Sequence, residues 1–247
     1  MTTQETIIEC WNKHKNEKDF LSSRLNEGRE FYANMFDLFE TEVLYSLIRS
    51  IKPRNIIEFS PNAGWTSFVI LEACKRNALE ASNYSASIKS FDLIDKSRGC
   101  DYNNNSVERK LYVGNALINV ANFIDDCDFL FIDSDHRAPF AEKYCNTIIK
   151  KYKRGYIWIH DWNGYDTASE EPVTVKNYIN SLSGAPISPI INLMDYYLKE
   201  MNEKTRASVH KRRLCWGGVN DTIGARGDRS PSQILYKQNS LNIEGIK

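Results

Sequence analysis

The hydrophobic pattern changes character near residue 51. Before it, Phe36, Phe39, Val43, Leu44 and Leu47 recur at three- and four-residue intervals, and the stripe stops at Pro53. That spacing places them on one face of a helix, which proline, lacking an N–H, brings to an end. Residues 1–50 are therefore expected to form a helical N-terminal extension. Beyond them the apolar residues fall into short unbroken runs bounded by turn residues: Asn55–Phe59, Ile88–Leu93, Lys110–Val113, Asp128–Ile132 and Tyr156–His160. Unbroken runs suit strands covered on both faces. The longer stretches between them suit crossover helices, near Gly64–Asn77 and Ala138–Lys151. The expected fold is α/β, a doubly wound, mostly parallel sheet with helices on both faces.

After Gly164 the pattern weakens. Helices are expected over Pro172–Ser183 and Ile190–Lys204, and two antiparallel strands over Leu214–Val219 and Thr222–Ala225, joined by a turn at Asn220–Asp221. From Gly227 the chain is polar. The domain reading is a helical extension over 1–50, one α/β domain over 51–226 and a C-terminal tail over 227–247.

Composition narrows the function classes. A chain of 247 residues suits one large α/β domain. Lys+Arg and Asp+Glu are both 32, so the formal net charge is zero. A neutral surface is poorly suited to capture nucleic acid or an anionic membrane as a whole. No run of about 20 apolar residues is present, and the first residues lack the apolar stretch of a signal peptide. The cytoplasm is the expected location. The six cysteines, at 10, 74, 100, 127, 145 and 215, include no Cys-x-x-Cys pair. That spacing matches neither a disulfide framework nor a zinc site.

In an open parallel sheet, ligands bind at the carboxyl ends of the strands, where strand order reverses. The residues just after each run therefore carry the candidate chemistry. They are Glu58-Phe59-Ser60-Pro61-Asn62-Ala63-Gly64, then Asp92, then Gly114-Asn115-Ala116, then Asp133-Ser134-Asp135-His136, and last His160-Asp161-Trp162. Four of the five ends bring an acid to one edge of the sheet.

Taken in order, these segments resemble class I S-adenosylmethionine-dependent methyltransferases over residues 36–164. The likeness is greatest to small-molecule O-methyltransferases of the catechol and caffeoyl-CoA type, and to the related methyltransferase family 24 that modifies sugars and antibiotics. It is carried by Ile51-Lys52-Pro53, Asn55 to Ser60, Phe131 to His136 and Ile159-His160-Asp161. One departure stands out: Gly64 is the single glycine of a loop in which that family shows two or three. Ser60-Pro61-Asn62-Ala63 must then make the turn, with Asn tolerating positive φ.

The resemblance implies a Rossmann-like, seven-stranded, mostly parallel sheet, S-adenosyl-L-methionine as cofactor, and a small-molecule or sugar hydroxyl as acceptor. Membrane and nucleic acid are not expected partners; a homo-oligomer is left open. It implies that Glu58, Ser60, Asn62, Ala63 and Gly64 form the cofactor loop and that Asp92 accepts from both ribose hydroxyls. Asn115 and Ala116 would flank the adenine, with a plain turn as the competing account of Asn115. Asp133 and Asp135 have three readings: metal ligands, groups that position the methionine amino group and the acceptor, or caps for the helix near Ala138. In the metal-dependent relatives the ligands fall on Asp133, Asp161 and the next residue. Here that residue is Trp162, which cannot bind Mg2+, and the balance leans to metal-free chemistry.

His136 stands where the catechol-type enzymes carry a catalytic lysine. It is one candidate base; His160 is the other, and Asp133 joins them in the catalytic group. Trp65 and Trp162 are expected to wall the acceptor pocket, and Trp158 to pack in the core. The basic residues Lys204, Arg206, His210, Lys211, Arg212 and Arg213 read first as a solvated face, then as a grip on a phosphate-bearing acceptor such as a nucleotide sugar, and last as an RNA contact. Two other classes compete. One is a nucleotide-sugar glycosyltransferase using Asp133-Ser134-Asp135, and the other is a cofactor-binding module without turnover.

Overall fold

A computed structural model describes residues 4–14, 17, 38–96, 102–153, 155–160, 170–182, 187–192 and 233–237. Among the described residues, the helices α1 (Gln4–His14) and α2 (Leu38–Ile51) come first. There follow β1 (Asn55–Phe59), α3 (Trp65–Glu80), β2 (Ala86–Asp92), β3 (Tyr102–Asn103), β4 (Val107–Val113) and α4 (Ala116–Asn119). Next come β5 (Phe129–Ile132), α5 (Ala138–Tyr144) and β6 (Gly155–Ile159). The last are α6 (Glu171–Ser181), β7 (Ile187–Asn192) and β8 (Gln233–Lys237).

The sheet order is β3-β4-β2-β1-β5-β6-β8-β7. Its centre, β4-β2-β1-β5-β6, is parallel throughout. These five are the strands the apolar runs predict. Order reverses on either side of β1: the chain steps outward through β2 to β4, then returns to lay β5 against β1. The expected seven strands become eight among the described residues, because antiparallel pairs are added at both edges.

β1, β5 and β6 are the buried heart. Ile56, Phe129, Phe131 and Trp158 face one side, packing with Val43, Leu44 and Leu47 of α2 and Val69 and Ile70 of α3. Ile57, Phe59, Leu130, Ile132, Ile157 and Ile159 face the other, against Tyr144, Ile148 and Val175. Burial on both faces explains why these strands read as continuous apolar runs. β6 begins at Gly155, whose φ is +117°. A Cβ there would lie 2.2 Å from the Asp128 carbonyl oxygen, so the strand's entry accepts only glycine without rearrangement.

Three expectations need correction. Ile190–Asn192, read as the start of a helix, belong to strand β7. The polar segment read as a tail supplies β8, which lies inside the sheet between β6 and β7. The helix expected over Ala138–Lys151 changes pitch at Tyr144 and continues as a π-helical turn through Cys145–Ile149. The two strands expected over 214–225 lie outside the described residues, as does the rest of the helix expected to Lys204. No described helix is long and apolar enough to cross a membrane.

Candidate active site

The loop after β1 is made from left-handed backbone. Ser60 (φ 56°), Asn62 (φ 47°) and Gly64 (φ 94°) all have positive φ. The sequence thus makes with serine and asparagine a turn usually given to glycine, and hydrogen bonds hold it there. The Ser60 N–H donates to the Phe91 carbonyl at 2.7 Å, and the Gly64 N–H to that of Pro61 at 2.7 Å. The Asn62 N–H donates to Asp92 Oδ2 at 3.1 Å. Gly64 opens α3 with no side-chain cap, so the positive end of the helix dipole faces the loop.

Asp92 is the hub of this edge. Its Oδ1 also accepts the Leu93 N–H at 2.7 Å, and its carbonyl accepts the Gly114 N–H at 2.7 Å, tying the ends of β2 and β4 together. A carboxylate offers about four acceptor sites. Two are taken by backbone, and the group is only half-buried. Asn115 caps α4, its Oδ1 accepting from Leu117 N at 3.0 Å, which is the turn account of that residue, with Ala116 next to it in the first helical position.

Glu58 lies beneath the loop and does not line it. It is fully buried and accepts hydrogen bonds from Thr66 Oγ1 (2.6 Å), Ser67 Oγ (2.5 Å) and Ser90 Oγ (2.5 Å). Buried Arg109 reaches the same serines, donating from Nε to Ser90 Oγ at 3.2 Å and from Nη2 to Ser67 Oγ at 3.0 Å. The acid thus anchors the first turn of α3 to the sheet, which fixes where the loop ends.

A chain of acids and imidazoles crosses the ends of β5 and β6. His160 is buried, with Nδ1 3.2 Å from Asp133 Oδ1 and Nε2 3.5 Å from Glu40 Oε2 on α2. Burial disfavours a charged ring, but Asp133 and then Glu40 outweigh it and hold the imidazole pKa well above its usual value. Burial likewise works to raise the Asp133 pKa; His160 and then His136 overcome it and keep the carboxyl below its ordinary range. His136 is only partly buried. Its Nδ1 lies 2.6 Å from Glu171 Oε2, and its Nε2 lies 3.8 Å from Asp133 Oδ1. Asp135 turns away, gripped by the exposed Arg137 through bonds of 2.5–3.0 Å.

No family model matches the sequence, and no curated protein matches it. Solved structures do match the fold. An O-methyltransferase from Bacillus cereus in complex with S-adenosylhomocysteine (SAH) superposes with a TM-score of 0.53 at 13% identity, covering 87% of this chain and 88% of that one. A methyltransferase from Geobacter sulfurreducens gives 0.50 at 16% identity, over 89% of this chain and 88% of that one. The chain has the methyltransferase fold.

Within that fold, the strand-end residues read from the sequence do converge: the Ser60–Gly64 loop with Asp92 and Gly114 on one side, Asp133 with His136 and His160 on the other. Trp65, expected at the acceptor pocket, is buried in the core with its indole N–H on Thr41 Oγ1 at 3.3 Å. Trp158 is in the core, as expected. Asp161, Trp162 and the basic residues 204–213 lie outside the described residues. Among the described residues, no three His, Cys, Asp or Glu side chains are arranged to hold a metal ion.

Sequence reasoning missed Glu40 and Glu171. Glu40 did leave a signal, since it stands three and seven residues before Val43 and Leu47, on the apolar face of α2. Glu171 left none, because the helix that carries it is separated from β6 by a run without periodicity.

Proposed function

We propose that this chain is an S-adenosylmethionine-dependent O-methyltransferase acting on a hydroxyl of a small molecule or sugar. The observation that carries the reading is the left-handed Ser60–Gly64 loop stapled to Asp92 at the point where strand order reverses. The residues fit the cofactor. Asp92 retains acceptor capacity for two ribose hydroxyls, and the uncapped N-terminus of α3 favours a carboxylate beside Asn62, Ala63 and Gly64. Gly114, Asn115 and Ala116 form the adjoining wall beyond Asp92. When bound, the cofactor supplies a methyl group on an electrophilic sulfonium.

The protein's part is to position the acceptor and to take its proton. We assign the proton to His136, which is partly exposed at the strand ends. The carboxylates facing both nitrogens of buried His160 raise its pKa well above the ordinary value, which disfavours it as the base. Its role is to hold Asp133 in place against α2. The residues do not fit a divalent ion well, because Asp133 Oδ1 is committed to a cationic ring and both oxygens of Asp135 to Arg137. We therefore favour the metal-free route over one through Asp133 and Asp161.

Calorimetry decides between this reading and the glycosyltransferase one. SAH is expected to bind in the micromolar range, and a nucleoside diphosphate with manganese is not. The reverse pattern would transfer the assignment to the Asp133-Ser134-Asp135 motif. SAH binding without methyl transfer to any hydroxyl in an acceptor screen would leave a binding module.

A further inference from the structure

Glu171 is the first residue of α6, and its side chain is almost fully buried, at 1% exposure. Isolated buried carboxylates are costly, so what surrounds this one matters. Its Oε2 lies 2.6 Å from His136 Nδ1, and its Oε1 accepts the Tyr144 hydroxyl at 2.7 Å. Its backbone N–H also donates to the His136 carbonyl at 3.1 Å. The two residues are therefore joined twice, through main chain and side chain, over 35 positions of sequence. Tyr144 is buried against the same carboxylate, and burial followed by the Glu171 charge keeps its hydroxyl protonated and donating.

We infer that Glu171 is a positioning residue that fixes the tautomer of His136, keeping the proton on Nδ1 and the lone pair on Nε2. The inference rests on the reading of His136 as the base. An ionised carboxylate can only accept, so the nitrogen facing it must donate. A neutral imidazole carries one N–H, which leaves Nε2 as the basic atom, on the side of Asp133. Tyr144 occupies the second carboxylate oxygen and keeps Glu171 from rotating away. When Nε2 takes a proton from an acceptor hydroxyl, the ring becomes an imidazolium with a carboxylate beside each nitrogen. The acceptor is left as the alkoxide that attacks the methyl.

The test needs no acceptor. Long-range proton–nitrogen correlation spectra of the full chain, labelled at histidine nitrogens, report the tautomer of each of the four histidines. His136→Gln identifies the relevant signals. In the unaltered protein, neutral His136 should show a protonated Nδ1 and a bare Nε2. Glu171→Gln should lose that preference and admit the Nε2–H form, and Glu171→Asp should restore part of it. A proton on Nε2 in the unaltered chain overturns the inference, and it does so even if the variants fail to fold. So does a folded Glu171→Gln protein with the tautomer unchanged. SAH calorimetry on the same samples separates the two levels: failure of the unaltered chain to bind SAH overturns the methyltransferase reading, whatever the tautomer.

Discussion

His160 shows how the surroundings of a side chain bear on a task suggested by residue type alone. A strand-end histidine is a natural base candidate, but the two carboxylates beside its nitrogens favour its charged form. Its pKa is raised above the ordinary 6.5. The stability it contributes is then present in full below that value and is lost as pH rises through the raised one. The melting-temperature gap between the unaltered protein and His160→Gln should therefore be largest at about pH 6 and shrink in the alkaline range. A gap that grows with pH would mean the ring is neutral. Asp92 carries a different expectation. Asp92→Ala should weaken SAH binding by about 1–3 kcal/mol, the cost of leaving hydroxyl donors without their acceptor, as read by calorimetry. Equal affinity would remove Asp92 from the ribose role. Asp92, Asp133 and His136 were legible as candidates because each lies at or shortly after the end of an apolar run. Glu171 was not, because nothing local in sequence announces a contact made across a fold.

At the scale of elements, legibility followed burial. β1 was read to the residue, since both of its faces are covered and Ile56, Ile57 and Phe59 make it mostly apolar in spite of Glu58. β4 was read three residues short, because Val107, Glu108 and Arg109 alternate and the last is a charged residue buried under α3. The tie between α1, α2 and α3 was not read at all. Glu17 accepts from Arg49 Nε at 2.9 Å and Tyr45 Oη at 2.9 Å, and pairs with His14 Nδ1 at 2.8 Å. Arg49, itself buried, also reaches Asn77 and Glu80 on α3. Burial tends to raise the Glu17 pKa, but the hydrogen bonds from Arg49, His14 and Tyr45 outweigh it and hold it at about 2, against an ordinary 4.5. A depressed acid stabilises the fold above its unfolded pKa, and that contribution fades as pH falls. Glu17→Gln should thus melt below the unaltered protein by a constant margin at neutral pH, and the margin should close between 4.5 and about 2. A margin that persists at the acid end would mean that the carboxylate is not what ties these helices.

For the molecule as a whole, periodicity foretold the five parallel strands and the class of fold, and it failed at the sheet's antiparallel edges. Strands of five or six residues drawn from mixed polar sequence carry little hydrophobic pattern of their own. Their place is set by hydrogen bonding to a neighbour that already exists: β8 pairs with β6 from Gly155↔Lys237 to Ile159↔Gln233, and with β7 on its other side. A chain ended at residue 226 would lose that strand and leave the fully buried edge of β6 without its ladder. It is expected to aggregate or to lose cooperative melting, as size-exclusion chromatography and circular dichroism would show. A truncated protein that stays monomeric and melts like the full chain would count against the pairing.

The same interleaving has a consequence in time. During synthesis β6 and β7 both emerge before the strand that separates them, so neither can take its final neighbour on that side as it leaves the ribosome. The parallel core from β1 to β6 can close progressively, each strand meeting one already made. The last step must instead insert a late segment between two earlier ones, across more than seventy positions of chain from β6, the kind of distant pairing that slows folding. Until that insertion, β6 presents an open ladder to any extended peptide nearby. The nascent protein is therefore most exposed to mispairing after its parallel core has formed and before β8 emerges, which is when a chaperone that shields strand edges would act on it.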